Sequence, residues 1–306
     1  MKITAHQHRP LGKLELRVPP LLFGTAALGN VPVVIPEQRK LAICGQWFQH
    51  VQPAVFVDVT HKHGNGVALE VLGRMLRRLD VASDEVVVHL TIDSTCPIEC
   101  WEKSCRLLGE AYRPKLITVG NVDEEAWQAV SGLKTSGLVR GVGVFTSDAD
   151  ALNLHPVDAD WVWLHGGLTL LNHPAETIDF LKELAGRQTP IFASEVFGGG
   201  FLIGGNSLRG RMVNANDPTS RSLFAWRKSF VALCQGHGIL PAHACVQFAL
   251  TAPGVVAVEL ESSTPEQVAE NVVAVLRKVP ASFWESMKEE GLLSEDYPYL
   301  NSSQLG

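Results

Sequence analysis

The sequence has no long apolar run. Its most hydrophobic stretches, such as Ala54–Val57 and Val86–Val88, fall far short of the about 20 residues that a membrane-spanning helix needs. It has no cluster of lysine or arginine either. With 26 basic against 32 acidic residues and a formal charge of -6, it offers no basic surface to duplex nucleic acid or to an anionic membrane. There is no C-x-x-C pair. Six cysteines (Cys44, Cys96, Cys100, Cys105, Cys234 and Cys245) spread through 306 residues read as reduced thiols, and the 96, 100, 105 trio has the spacing of one helix face. The first residues, Met1 to His6, carry neither a signal-peptide apolar region nor transit-peptide arginines, so the expected compartment is the cytoplasm. No G-x-G-x-x-G follows an early strand, which argues against a doubly wound dinucleotide-binding sheet.

What remains is a folding sequence: 46% hydrophobic and 19% charged, enough apolar material for a large core. β-Branched runs recur at Leu21–Ala27, Ala54–Thr60, Glu85–Ile92, Lys115–Asn121, Gly141–Thr146, Trp161–Gly166, Pro190–Val196 and Val255–Glu261. Amphipathic stretches lie between them, at Asn65–Leu79, Glu99–Gly109, Asp123–Thr135, Ala175–Ala185, Pro218–Gly236 and Thr264–Leu276. The last opens with an N-cap threonine, a proline and then Gln267, a capping signature. Eight βα units with no composition shift predict an α/β fold, a single (β/α)8 TIM barrel spanning residues 1–306. In such a barrel the chemistry sits where strands end and βα loops begin.

The second strand end is the most polar. Asp58, His61, Lys62 and His63 meet within six residues, and Asp58 alternates with Val57 and Val59, so that it shares one strand face. A half-buried carboxylate needs a cation or donors, and these neighbours are the nearest supply. His89 and His165 end other strands. Asp58, His61, His63 and His89 together would form a metal or nonredox acid–base site, one of three readings carried forward. Gly198–Gly200 permits close approach of a ligand to the backbone, and the helix starting at Thr264 aims free N–H groups outward after the eighth strand. Trp161, Trp163, Phe197 and Phe201 are candidates to stack on a ring at the mouth.

Several segments resemble one superfamily in order and spacing: Leu22–Asn30, Phe56–Asp58, Gly64–Gly66 with Glu70 and Gly73, and Val139–Val144. Late segments do the same, namely His237–Ile239 leading to Gln247 and Phe248, Thr264–Gln267 with Glu270 and Asn271, and Phe283–Trp284 followed by Glu290–Leu293. Together they resemble the aldo-keto reductases, most of all the D-threo-aldose 1-dehydrogenase and L-fucose dehydrogenase branch. The resemblance implies a barrel with NAD or NADP across its mouth and hydride transfer assisted by an Asp, a Tyr acid, a Lys and a His. Asp58 matches the Asp. The Tyr position is His63, the end of the third strand near Leu90–Ile92 has no lysine, and the fourth-strand His falls at Gly120. The expectation is therefore a barrel that has lost standard carbonyl reduction and binds a small sugar-like or aldehyde molecule, or carries out redirected chemistry, at its mouth. The alternative is an NAD-dependent oxidoreductase with His63, oriented by Asp58, as substitute acid–base and Lys62 or His61 polarising the oxygen. Toward the cofactor, the resemblance implies Ser262, Glu270 and Asn271 near the adenosine and Thr146 near the carboxamide, and the glycine run and the mouth aromatics add Gly199 and Phe197 as candidate cofactor contacts. Glu261 would repel a 2'-phosphate, which favours NAD over NADP.

Overall fold

In the computed structural model, which describes residues 1–93, 96–120, 123–147 and 158–300, a short antiparallel hairpin comes first: β1 (Arg9–Pro10) and β2 (Arg17–Val18). Then follow β3 (Leu21–Phe23), α1 (Glu37–His50), β4 (Val55–Thr60), α2 (Val67–Arg78), β5 (Val86–Asp93), α3 (Pro97–Leu108), β6 (Leu116–Gly120), α4 (Glu124–Thr135), β7 (Gly141–Thr146) and β8 (Val162–His165). The chain continues through α5 (Ala175–Gly186), β9 (Ile191–Ser194), a second hairpin of β10 (Ser207–Leu208) and β11 (Arg211–Met212), α6 (Arg221–Gly236), α7 (Pro241–Thr251), β12 (Val255–Leu260), α8 (Pro265–Leu276) and α9 (Ala281–Glu289). Strands β3 to β9 and β12 pair in parallel and close into one barrel, β12 returning to β3. Among the described residues no helix is long and apolar enough to cross a membrane.

The helices form for the reason the spacing gives. In α2 the buried positions are Ala68, Leu69, Val71, Leu72, Met75 and Leu76, one 3.6-period face laid on the sheet, while Arg77 and Arg78 stand at its carbonyl end. At α8 the Thr264 hydroxyl accepts from the Gln267 N–H, and the Gln267 side chain reaches back to the N–H of Ser263. Three helices lack a sequence counterpart above: α1, α7 and α9. Two predicted strands also run too long. Residues Ala26–Gly29 curl into a 3₁₀ turn, and β9 stops where Glu195 takes a positive φ of 57°. Asn121, the predicted end of the fourth strand, lies outside the described residues.

Two cores divide along the period-two alternation of the strands. One lies between strands and helices. The other fills the barrel, where Leu22, Phe56, Val87, Leu116, Trp161, Trp163, Phe192 and Ala257 meet Leu11 and Val18 of the first hairpin, which plugs the N-terminal end. Trp161 and Trp163 are thus interior packing, and Phe201 is fully buried, whereas Phe197 lines a cavity. Trp161 fits because β7 presents glycine beneath it: a Cβ on Gly143 would come within 2.1 Å of the indole nitrogen. Gly143→Ala should therefore cost about 1–3 kcal/mol by overpacking. An unchanged thermal midpoint would remove close packing as the reason for glycine there.

Candidate active site

The barrel interior turns polar one layer above Phe56. Asp58 on β4 stands beside His89 on β5 in the pairing register, and both face inward. His89 is wholly buried, stacked on Trp163 with ring centroids 4.7 Å apart. An indole N–H only donates, so the Thr118 hydroxyl accepts from Trp161 Nε1 at 2.8 Å, and its own hydrogen is then directed to His89 Nε2 at 2.7 Å. That leaves Nδ1 carrying the ring proton, donated to Asp58 Oδ1 at 2.6 Å. Thr91, in the segment where the family lysine was sought, donates to the same oxygen at 3.0 Å. Both ring nitrogens of His89, the Thr91 and Thr118 hydroxyls and Asp58 Oδ1 are all engaged, which is what makes such a network tolerable in a barrel core. Asp58 Oδ2 takes none of these bonds and belongs to a side chain 10% exposed to the mouth.

The four residues at the second strand end separate. His61 turns outward, its Nε2 within 3.0 Å of the Cys100 carbonyl and 2.8 Å of the Ser104 hydroxyl, so it fastens the βα loop to α3. Both ring nitrogens of His89 are spent within the core. The metal quartet of Asp58, His61, His63 and His89 is thereby split, and among the described residues no group of three or more His, Cys, Asp or Glu side chains is placed to hold a metal ion. His63 stays half-buried, with Nδ1 enclosed and unpartnered. Burial lowers its pKa, partly offset by the charge of Asp58. Lys62 is exposed, and its ammonium acts on His165.

His165 closes β8, packed on Phe145 at 5.2 Å. Ser194 accepts from Trp163 Nε1 at 2.8 Å and lies 2.9 Å from His165 Nδ1, which it can meet as donor or as second acceptor. Burial lowers the His165 pKa, against the pull of Glu195 and Asp58. A set of carboxylates faces it. Glu259 and Glu261 fold over Gly24: a Cβ there would lie 2.0 Å from Glu259 Oε1 and 2.4 Å from Glu261 Oε1, so the two oxygens are no further apart than the sum of those distances. Glu261 accepts from the Ala26 N–H at 3.0 Å. It is deeply surrounded in the concave mouth yet open to solvent through the cavity it lines. Enclosure and the nearby Asp58 and Glu195 raise its pKa to about 7, and Glu259 is pushed well up by burial and by Glu261.

Two cavities open on this mouth. One of about 740 Å³ is lined by His165, Glu195, Gly198, Gly199, Ser207 and Arg209 among others. Arg209 and Gly210 are the two turn residues of the β10–β11 hairpin, both at positive φ (49° and 74°), so the tight turn holds a guanidinium-bearing residue at the cavity wall. The Gly199 and Gly200 amides have no acceptor among the described residues. The other cavity, about 410 Å³, is lined by Ala26, Phe197, Glu261, Ser262 and Glu270, with Asn271 behind them. Asn271 donates to the Ser262 hydroxyl at 3.0 Å and to the Glu261 carbonyl at 3.1 Å, fixing the start of α8 against β12. Thr146 is buried and lines neither of these cavities, and its neighbour Ser147 lines the larger. The groups that the sequence reading passed over are Thr91, Thr118, Glu195, Glu259 and Arg209. The inward period-two positions 87, 89, 91 and 116, 118 were the available signal for two of them.

The profile of the aldo/keto reductase family matches residues 20–290. A D-threo-aldose 1-dehydrogenase from a Pseudomonas species is 30% identical over 172 residues, which is 55% of this chain and 51% of that protein. A pyridoxal 4-dehydrogenase from Microbacterium luteolum is 25% identical over 170 residues, 55% and 49%. The chain thus matches about half the length of these curated relatives. Among solved structures, the holo form of an aldo-keto reductase from Bacillus halodurans superposes with a TM-score of 0.73 at 17% identity, covering 94% of this chain and 96% of that one. An aldo-keto reductase from Klebsiella pneumoniae, in complex with NADPH, gives 0.70 at 18% identity with the same coverage. At those identities the likeness is one of fold, and it is the profile, running through nearly every strand of the closed barrel, that settles membership: the chain belongs to the aldo/keto reductase family.

Proposed function

We propose that this barrel binds a small polar, sugar-like or aldehyde molecule at its mouth beside NAD, and that it does not use the tyrosine–lysine relay of carbonyl reduction. The observation that carries the reading is the state of Asp58: a threonine and a buried histidine, not a lysine, hold its Oδ1. The residue at the tyrosine position, His63, is kept neutral near pH 7 by burial. A neutral imidazole in reach of a carboxylate suits proton acceptance from a ligand hydroxyl, with Asp58 stabilising the imidazolium that results. With its proton on Nε2, His165 on the facing strand would donate to a ligand oxygen.

The two cavities fit a dinucleotide. Phe197, Ser262, Glu270 and Asn271, which line the smaller cavity, would surround the adenosine, while Arg209 and the Gly199 amide at the larger cavity would offer donors to phosphate oxygens. Glu261 and Glu270 would accept from ribose hydroxyls and repel a 2'-phosphate, which favours NAD over NADP. When bound, such a cofactor supplies or accepts hydride. Calorimetric titration should give micromolar NADH binding, about tenfold or more tighter than NADPH, and binding should survive His63→Ala. Turnover of an aldose panel should fall in that variant. Failure to bind either nucleotide would end the oxidoreductase reading.

A further inference from the structure

The opposite end of the barrel holds a second, chemically different cavity. It measures about 320 Å³ and is lined by His6, His8, Arg9 and Arg17 of the N-terminal segment and hairpin, by Lys278 beyond α8, and by Pro10, Pro20, Val275 and Leu276. No acidic side chain lines it. Arg9 Nη1 donates to the carbonyl of Val255, the first residue of β12, at 2.8 Å, which places the guanidinium at the N-terminal opening. Its Nη2 is buried and has no partner. His8 lies just beneath the surface but is only 5% exposed, and its Nε2 is likewise buried and unpartnered. Arg17 donates to the His8 carbonyl. Among the described residues none of Arg9, Arg17 and Lys278 has a carboxylate partner.

Such an arrangement is costly without a ligand. A buried guanidinium N–H left unmade carries the cost of its lost hydration, and the exposed Arg17 and Lys278 add two more cations at the rim with no carboxylate to answer them. Burial alone lowers the Arg9 pKa, with no carboxylate to raise it, and burial together with Arg17 lowers that of His8. A guanidinium fork beside an imidazole matches the oxygens of a phosphate or carboxylate, and the four apolar residues would cover a small organic body.

We propose that this cavity is an oxyanion-binding site, separate from the mouth, that takes the phosphate or carboxylate group of a small metabolite. Inorganic phosphate is the probe, with acetate as the arm that separates phosphate from carboxylate recognition. Calorimetry on the intact protein should give phosphate a Kd of about 0.1–1 mM. Phosphate should move the ring resonances of His8 and leave those of His165 in place. Lys278→Glu, at an exposed position, should weaken binding by about tenfold or more while the thermal midpoint stays within a degree or two. Arg17→Gln should do the same, and Arg209→Gln at the mouth should not. Acetate binding as tightly as phosphate would assign the site to carboxylates within the same class. No heat up to about 10 mM phosphate, a range that would still reveal millimolar affinity, would overturn the proposal and leave the Val255 and His8 carbonyls as the partners of Arg9 and Arg17. So would binding that survives Lys278→Glu and Arg17→Gln or vanishes in Arg209→Gln.

Discussion

His89→Ala should destabilise the protein by about 3–5 kcal/mol, a fall of roughly 5–10 °C in the thermal midpoint. Two separable losses add up to that figure. The first is volume, because His89 is fully buried and stacked on Trp163, and truncation leaves a cavity in a packed barrel. The second is polar, because the substitution removes the donor to Asp58 Oδ1 and strands the Thr118 hydroxyl. His89→Phe tells them apart. It restores the ring and its stacking but offers no N–H, so if the network matters it should recover less than half of the loss. Full recovery by phenylalanine would reduce His89 to a packing residue. His89→Gln, which can still donate, should fall between the two. Ligand binding at the mouth should weaken in all three variants in step with the lost hold on Asp58, measured as Kd at a temperature where each is folded.

How much of this was legible in the sequence follows from where the information resides. The strands were readable because β-branched runs on a closed parallel barrel are buried on both faces; β7 matches its predicted bounds residue for residue. Helix α1 was harder to see, since its buried face combines Ile43, Cys44 and Trp47 with Lys40, whose ammonium is turned inward to the Leu28 carbonyl and Asn30. A lysine at that position breaks the apolar stripe that periodicity relies on. At the site, the inward-facing Asp58 and the half-buried His63 beyond it were readable from local order. His61 was not, because two residues of strand-end uncertainty decide whether a side chain faces the mouth or the helix layer. The pairing of His89 with Asp58 depends on register between strands 31 residues apart, which no local pattern encodes. Glu259 and Glu261 meet over Gly24 only because the first and last barrel strands are neighbours, a consequence of closure.

That closure sets the second large expectation, a pH dependence centred on Glu261. In the unfolded chain its carboxyl releases a proton near 4.5, and in the folded mouth at about 7, chiefly because enclosure penalises the charged form. Between those values the folded protein holds a proton that the unfolded chain has lost. The contribution of Glu261 to stability therefore falls as pH rises through this window, and above pH 7 the whole cost stands. Glu261→Gln keeps an acceptor for the Ala26 N–H and removes the charge. It should flatten the stability profile between pH 5 and about 7.5 and stabilise the protein at about pH 8 by about 1 kcal/mol, a figure reduced for solvent access to the carboxylate. The same ionisation bears on the ligand. If the dinucleotide lies along the cavity that Glu261 lines, the affinity for NADPH should drop about tenfold as pH rises from about 6 to 8 in the parent protein, since a carboxylate then faces the 2'-phosphate. In Glu261→Gln the affinity should stay level. Parallel slopes in both proteins would mean that Glu259, not Glu261, takes up the proton. A level slope in the parent would place the 2'-phosphate away from this carboxyl pair altogether.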